Sequence, residues 1–256
     1  MKQSPARPVT TVETAIEILD EIKNREEATL DDLSEALGIA KSTAHRHLQT
    51  LEQQDFVTRS EDGDRYRIGL RLLGFGIHAR AQRQLFHVTK PKVDELAEET
   101  GEKVWCLTHE HGRSIHLYGA SGSRSVKTQS DEGDREYLHQ TAAGKAILST
   151  FDHGRIEAII DEYGLPAKTE RTITNRTELF EELDRISERG YAFNRGESVP
   201  RLYAVGAPIT DPEGVAIGAI SISGPSNRLK EDIMMEELPT LLLGSTNEIE
   251  INMNHF

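Results

Sequence analysis

The sequence predicts a two-part α+β protein: a winged helix-turn-helix followed by a larger domain of helices on an antiparallel sheet. Three observations carry this expectation. Apolar residues recur at three- and four-residue spacing in successive segments near the N-terminus. A short hairpin with a basic returning strand follows the last of these segments. Beyond Gly101 the apolar period drops to two and then switches between strand-like and helical runs. At 256 residues the chain is long enough for two modest domains with separate cores. The expected divisions are residues 1–69, a linker helix over 70–90, and 91–256.

In chain order, Val12, Ala15, Ile16, Leu19 and Ile22 form one apolar stripe on a first helix. Thr29, with Asp32 three residues on, is a capping box opening a second helix, which Gly38 closes. A third begins at Lys41 or Ser42, with Ala44, Leu48 and Leu51 inward. Two helices joined by a tight glycine turn, the second polar on its outer face, make a helix-turn-helix. Residues 56–59 and 65–68 flank an acidic glycine turn and read as a wing. A connecting helix is expected from Leu70 to about Thr89, then a separate helix over 92–100, with Pro91 near its start.

In the second part, residues 104–108 and 114–118 form an expected hairpin, followed by a polar stretch over 121–136. Helices are predicted over 141–150, 155–163 and 177–189, and strands over 192–195, 203–209 and 215–223. A last helix over 229–243 carries Pro239.

The formal net charge is −13, which at first sight opposes nucleic-acid binding. Its distribution reverses that impression: residues 10–39 carry −7, whereas residues 40–84 carry +3. The segment with the basic excess is the one that contains the third helix and the wing. Lysines number 10 against 20 arginines and 43 acids, a balance expected of a surface that stays hydrated in high salt. Phosphate contacts weaken steeply as salt rises, so such a protein must lean on base edges and shape. The single cysteine, Cys106, excludes an intramolecular disulfide and a Cys-based zinc site. No run of apolar residues spans a bilayer and no secretory leader is recognisable, so a cytoplasmic protein is expected.

The third helix carries the expected DNA contacts. Arg46 suits a guanine edge or a phosphate, and His45 and Gln49 suit bases. Lys41, Ser42 and Thr43 lie at the helix start, where free backbone N–H groups also meet phosphate. Arg65 and Arg67, on the returning wing strand, suit the DNA backbone. His109, His111 and His116 are conceivable metal ligands, but they read more simply as strand and turn histidines, and no metal or cofactor is predicted. In LHQTAAGKAIL, His139 and Lys145 offer a hydrolase a base and an oxyanion holder, yet no activated nucleophile stands at suitable spacing. Small Ala142, Ala143 and Gly144 instead let a carboxylate approach backbone N–H groups, with a plain packing contact as the alternative.

Three stretches resemble the IclR family of transcriptional regulators: KSTAHRHLQTLEQQDFV (41–57), LHQTAAGKAIL (138–148), and the run from RGYAFNRGE (189–197) through VGAPITDPEG (205–214) to AISISGP (219–225). The resemblance spans almost the whole chain. It implies a winged helix-turn-helix for dimerisation and operator binding, a linker helix, and a GAF-like effector domain. It implies homodimers or dimers of dimers on palindromic sites controlling catabolic genes, with small organic acids as effectors. Carried over residue by residue, it assigns the effector carboxylate to the N–H groups of Ala142 and Ala143. It assigns the pocket wall to Thr128, Asn194, Leu202, Ala204, Ser221 and Ser223. Ala204 stands where some members have cysteine, and SVPRLYAVGAPI after Glu197 departs from the family's glycine-containing approach. Two other readings remain at this point: a small-acid-processing enzyme whose winged domain only dimerises, and a protein–protein adaptor.

Overall fold

The computed structural model describes residues 8–128, 130–230 and 232–253. Residues 1–7 of the expected DNA-binding domain and 254–256 of the effector domain lie outside these. The chain divides into two compact units after Ala79.

The first unit contains α1 (Thr10–Arg25), α2 (Leu30–Leu37) and α3 (Lys41–Gln53). They stand beside an antiparallel sheet of β1 (Ala28–Thr29), β2 (Val57–Arg59) and β3 (Arg65–Ile68), ordered β1-β3-β2. The expected stripe of α1 is shifted. Ile18 and Ile22 are fully buried with Leu33, Leu48 and Val57, while Val12 and Ile16 are more than half exposed. Both sets obey helical spacing, so periodicity alone does not say which one meets the core. β1 was not anticipated: two residues pairing with Tyr66 and Arg65 are too short to show a period. The capping box forms as read, with Asp32 N–H donating to Thr29 Oγ1 at 3.1 Å and Thr29 N–H donating to Asp32 Oδ2 at 2.8 Å. Gly38 closes α2 at φ +62°, a conformation that favours glycine.

The expected connecting helix is broken. It resolves into α4 (Arg71–Ala81) and α5 (Gln84–Thr100), and Pro91 lies inside α5 rather than near a helix start. An interior proline deletes one helical hydrogen bond. α5 persists because Leu85, Thr89, Val93, Leu96 and Ala97 are buried on the sheet.

The second unit is built on six antiparallel strands ordered β6-β5-β4-β9-β8-β7. These are β4 (Lys103–Glu110), β5 (Arg113–Ser121), β6 (Arg135–Tyr137), β7 (Ala192–Arg195), β8 (Leu202–Thr210) and β9 (Ala216–Pro225). His111 and Gly112, both at positive φ, make the two-residue turn between β4 and β5. Alternation along β4 divides the core. Val104 and Cys106 pack with α5 and a C-terminal helix, α9 (Leu238–Met253). Trp105 and Leu107 face α6 (Ala142–Leu148), α7 (His153–Tyr163) and α8 (Arg176–Arg189). β6 lies in the stretch read as a polar loop, because an edge strand of three residues carries no apolar signal. The last helix does not run over 229–243: a π-helical turn spans Ile233–Glu237, Pro239 falls in the first turn of α9, and the helix continues to Met253. No helix among the described residues is long and apolar enough to cross a membrane.

Candidate nucleic-acid interface and effector cavity

α3 buries Ala44 and Leu48 against α1 and α2, which turns the other side of the helix to solvent. On that side Lys41, Ser42, His45, Arg46 and Gln49 are exposed, and Thr43 is half-buried. Arg46 makes no ion pair or side-chain hydrogen bond among the described residues. Lys41 lies 2.8 Å from Asp31. The wing arginines are occupied differently from expectation: Arg67 Nη2 donates to Glu27 at 2.7 Å, and Arg65 lies 3.4 Å from the same carboxylate. Arg59 is similarly held by Glu52 at 2.9 Å. The wing tip carries Glu61, Asp62 and Asp64, so phosphates are repelled there.

In the second unit Thr128, Ala142, Ala143, Asn194, Leu202, Ala204, Ser221 and Ser223 all line one cavity. The cavity proper is small, about 60 Å³, and its mouth opens to solvent. Residues from the edge strands β6 and β7 both reach it, so the sheet curls around it. Ser221 and Ser223 share the inner face of β9 by alternation. Thr141 caps α6, its Oγ1 accepting from Gly144 N–H at 3.0 Å. The N–H groups of Ala142 and Ala143 find no acceptor among the described residues.

Two glycines make this placement possible. A Cβ on Gly206 would lie 2.7 Å from Ala143 N, so only glycine lets the start of α6 sit against β8. A Cβ on Gly144 would lie 2.2 Å from the Leu138 carbonyl. The smallness of Gly144 therefore serves packing rather than the ligand approach suggested for it.

Asn194 lines the cavity, but its amide also shapes the wall. Nδ2 donates to the Gln140 carbonyl at 2.8 Å, while Oδ1 accepts from the N–H groups of Gly196 and Glu197 at 3.2 and 3.1 Å. His139 and Lys145 lie outside the lining. His139 Nε2 meets the Pro166 carbonyl at 3.1 Å, and Lys145, 1% exposed, pairs with Glu197 at 2.6 Å. Burial holds the Glu197 carboxyl above its ordinary range, against the pull of Lys145. Of the three histidines weighed as metal ligands, His109 Nε2 donates to the Ala216 carbonyl at 3.0 Å, His111 sits in the turn, and His116 lines the cavity.

Sequence reasoning did not assign Trp105, Ser130, Glu136, Ser198 or His116 to this cavity. Gly119 lets the Trp105 ring lie across β5, since a Cβ there would come within 2.3 Å of the indole. Hairpin alternation could have put Trp105 and His116 on one face, but nothing in the sequence signals how far the sheet curls.

Two family models match. The IclR helix-turn-helix domain covers residues 11–61, and the bacterial transcriptional regulator IclR C-terminal model covers 77–250. The probable HTH-type transcriptional regulator ArcR of Halobacterium salinarum is 32% identical over 250 residues, 96% of this chain and 95% of that protein. The Thermotoga maritima IclR structure superposes with a TM-score of 0.76 at 28% identity, over 96% of this chain and 99% of that one. An IclR homologue from Microbacterium hydrocarbonoxydans, complexed with 4-hydroxybenzoate, shares the fold with a TM-score of 0.79 at 20% identity, over 96% of this chain and all of that one. The chain thus belongs to the IclR family of transcriptional regulators, with that family's DNA-binding helix-turn-helix and effector-binding C-terminal domain.

Proposed function

We propose that this regulator binds a palindromic operator as a homodimer or dimer of dimers, and that a small organic acid in the C-terminal cavity controls the binding and hence a set of catabolic genes. In this reading Arg46, His45 and Gln49 meet base edges in the major groove. Lys41, Ser42 and Thr43 meet phosphates, while Arg65 and Arg67 exchange Glu27 for the DNA backbone. The acid's carboxylate lies on the N–H groups of Ala142 and Ala143, with Thr128, Asn194, Leu202, Ala204, Ser221 and Ser223 around the rest of it.

The observation that carries the reading is the convergence of these eight residues, scattered over nearly 100 positions, on a single cavity. The hydroxybenzoate complex of a protein of the same fold supports an acid as the ligand. Dimerisation is supported by apolar side chains left in solvent: Val9, Val12 and Ile16 at helical spacing along α1, and Leu70, Leu73 and Ile77 around α4. The enzyme reading is disfavoured because His139 and Lys145 are turned to Pro166 and Glu197.

An electrophoretic shift on the chain's own upstream region tests the proposal. The wild type retards the fragment, Arg46→Ala binds it about 10- to 100-fold more weakly, and an acid effector alters the shift. Failure to retard any genomic fragment at the protein's working salt contradicts it.

A further inference from the structure

A second concave surface lies outside the effector cavity, at the β7 edge of the six-stranded sheet. Arg171 from the segment between α7 and α8, Arg201 from the β7–β8 loop, Tyr203 from β8 and Ser226 just after β9 line it. It holds about 460 Å³, against about 60 Å³ for the effector cavity, and opens to solvent. Its cations are not neutralised. Neither Arg171 nor Arg201 forms an ion pair among the described residues, although the chain carries 43 acids against 30 lysines and arginines. The one acid of the lining, Glu170, is exposed. The hydroxyls of Tyr203 and Ser226 also have no hydrogen-bond partner among the described residues.

Both guanidinium groups are held in place by backbone. Arg171 Nη1 donates to the Arg195 carbonyl at 3.0 Å, which leaves its other N–H groups unused. A Cβ on Gly196 would lie 3.6 Å from Arg171 Cδ and 3.5 Å from Arg201 N, so the Arg171 stem passes over Gly196 beside the Arg201 backbone. Arg201 itself stands at φ +64°, a conformation that a residue with a side chain disfavours, and Ser226 N–H pins its carbonyl there at 2.9 Å. Glycine would take that conformation without strain, and strained non-glycine residues cluster at ligand sites. Two guanidinium groups balance the two charges of a phosphate and match its oxygens with their planar forks. The two free hydroxyls supply further donors, and the volume left over takes an organic substituent. We propose that this groove binds the phosphate group of a small molecule between Arg171 and Arg201, as a ligand site separate from the effector cavity. The two sites share the β7–β8 loop, whose Ser198 and Val199 line the cavity.

The test is calorimetry on the full chain, in phosphate-free buffer at fixed salt. The probes are glycerol phosphate, adenosine monophosphate, inorganic phosphate and succinate, with glycerol and adenosine as uncharged controls. At least one phosphate compound should bind about ten-fold or more tightly than either control. Arg201→Gly removes the guanidinium while fitting the backbone, and it should cost that probe about ten-fold or more. Arg171→Ala should do the same, and Arg46→Ala should leave the affinity unchanged, which separates the groove from the DNA-contacting helix. Thermal melts identify any variant that fails to fold, and Arg201→Asn, also tolerated at that φ, then takes the place of Arg201→Gly. Preference for an ester assigns the groove to a phosphorylated molecule, and equal affinity for inorganic phosphate assigns it to the free ion; either supports the proposal when Arg201→Gly abolishes it. Binding of none of the three phosphate compounds, or indifference to Arg201→Gly, overturns the proposal. So does succinate binding that equals theirs and is likewise lost in Arg201→Gly.

Discussion

At the scale of single residues, the chain separates groups that are ready for a partner from groups already satisfied. Arg46 is exposed and unpaired among the described residues. Three histidines behave oppositely: burial pushes His109, His116 and His139 below their ordinary pKa. In the window below about pH 6.5 the unfolded chain therefore binds more protons than the folded one. Their contribution to stability is complete above that window and lost as pH falls through it. Urea unfolding midpoints followed downward from neutrality should fall less steeply in His139→Gln than in the wild type; identical slopes would remove His139 from the effect. The polar identity of Arg46 and its neighbours was legible because a helix start after a glycine turn fixes which side chains face out. His116 and Glu136 were not legible as a pair, since they meet only through the pairing of β5 with an unanticipated edge strand.

At the scale of elements, the wing is the informative case. The sequence showed a basic strand, and the structure shows that strand neutralised from behind: Glu27, between α1 and β1, holds both Arg65 and Arg67. Nothing in the local sequence around Glu27 marks it as a partner of the wing; only the pairing of β1 with β3 brings it there. Such half-exposed pairs contribute little to stability, so a phosphate can compete for either guanidinium. Removing the competitor should strengthen binding. Glu27→Gln is expected to raise operator affinity about three- to ten-fold at low salt, with the advantage shrinking as salt rises. Fluorescence anisotropy across a salt series measures this, and unchanged affinity would mean that the wing does not touch the duplex. The helices were read well where caps and glycines marked their ends, as at Thr29, Gly38 and Gly101. They were read poorly at the α4–α5 break and the π-helical turn before α9, where tertiary packing outweighs local preference.

At the scale of the whole molecule, an acidic protein binds an acidic polymer through one limited face. The overall charge of −13 repels DNA at long range, which places the burden of recognition on short-range contacts of the helix-turn-helix. Added salt screens that repulsion and weakens the phosphate contacts together. The two-part α+β architecture was legible from periodicity and charge. The curl of the second sheet and the exposed stripe on α1 were not, because each depends on what lies across from a residue rather than beside it in sequence.

The most direct measurement is dimethyl sulfate protection of guanine N7 on the operator, comparing the wild type with Arg46→Ala. With α3 in the major groove of each half-site, two symmetric sets of guanines are shielded about one helical turn apart, and the substitution uncovers a guanine in each. An asymmetric footprint, or a protection pattern indifferent to Arg46, would contradict that placement.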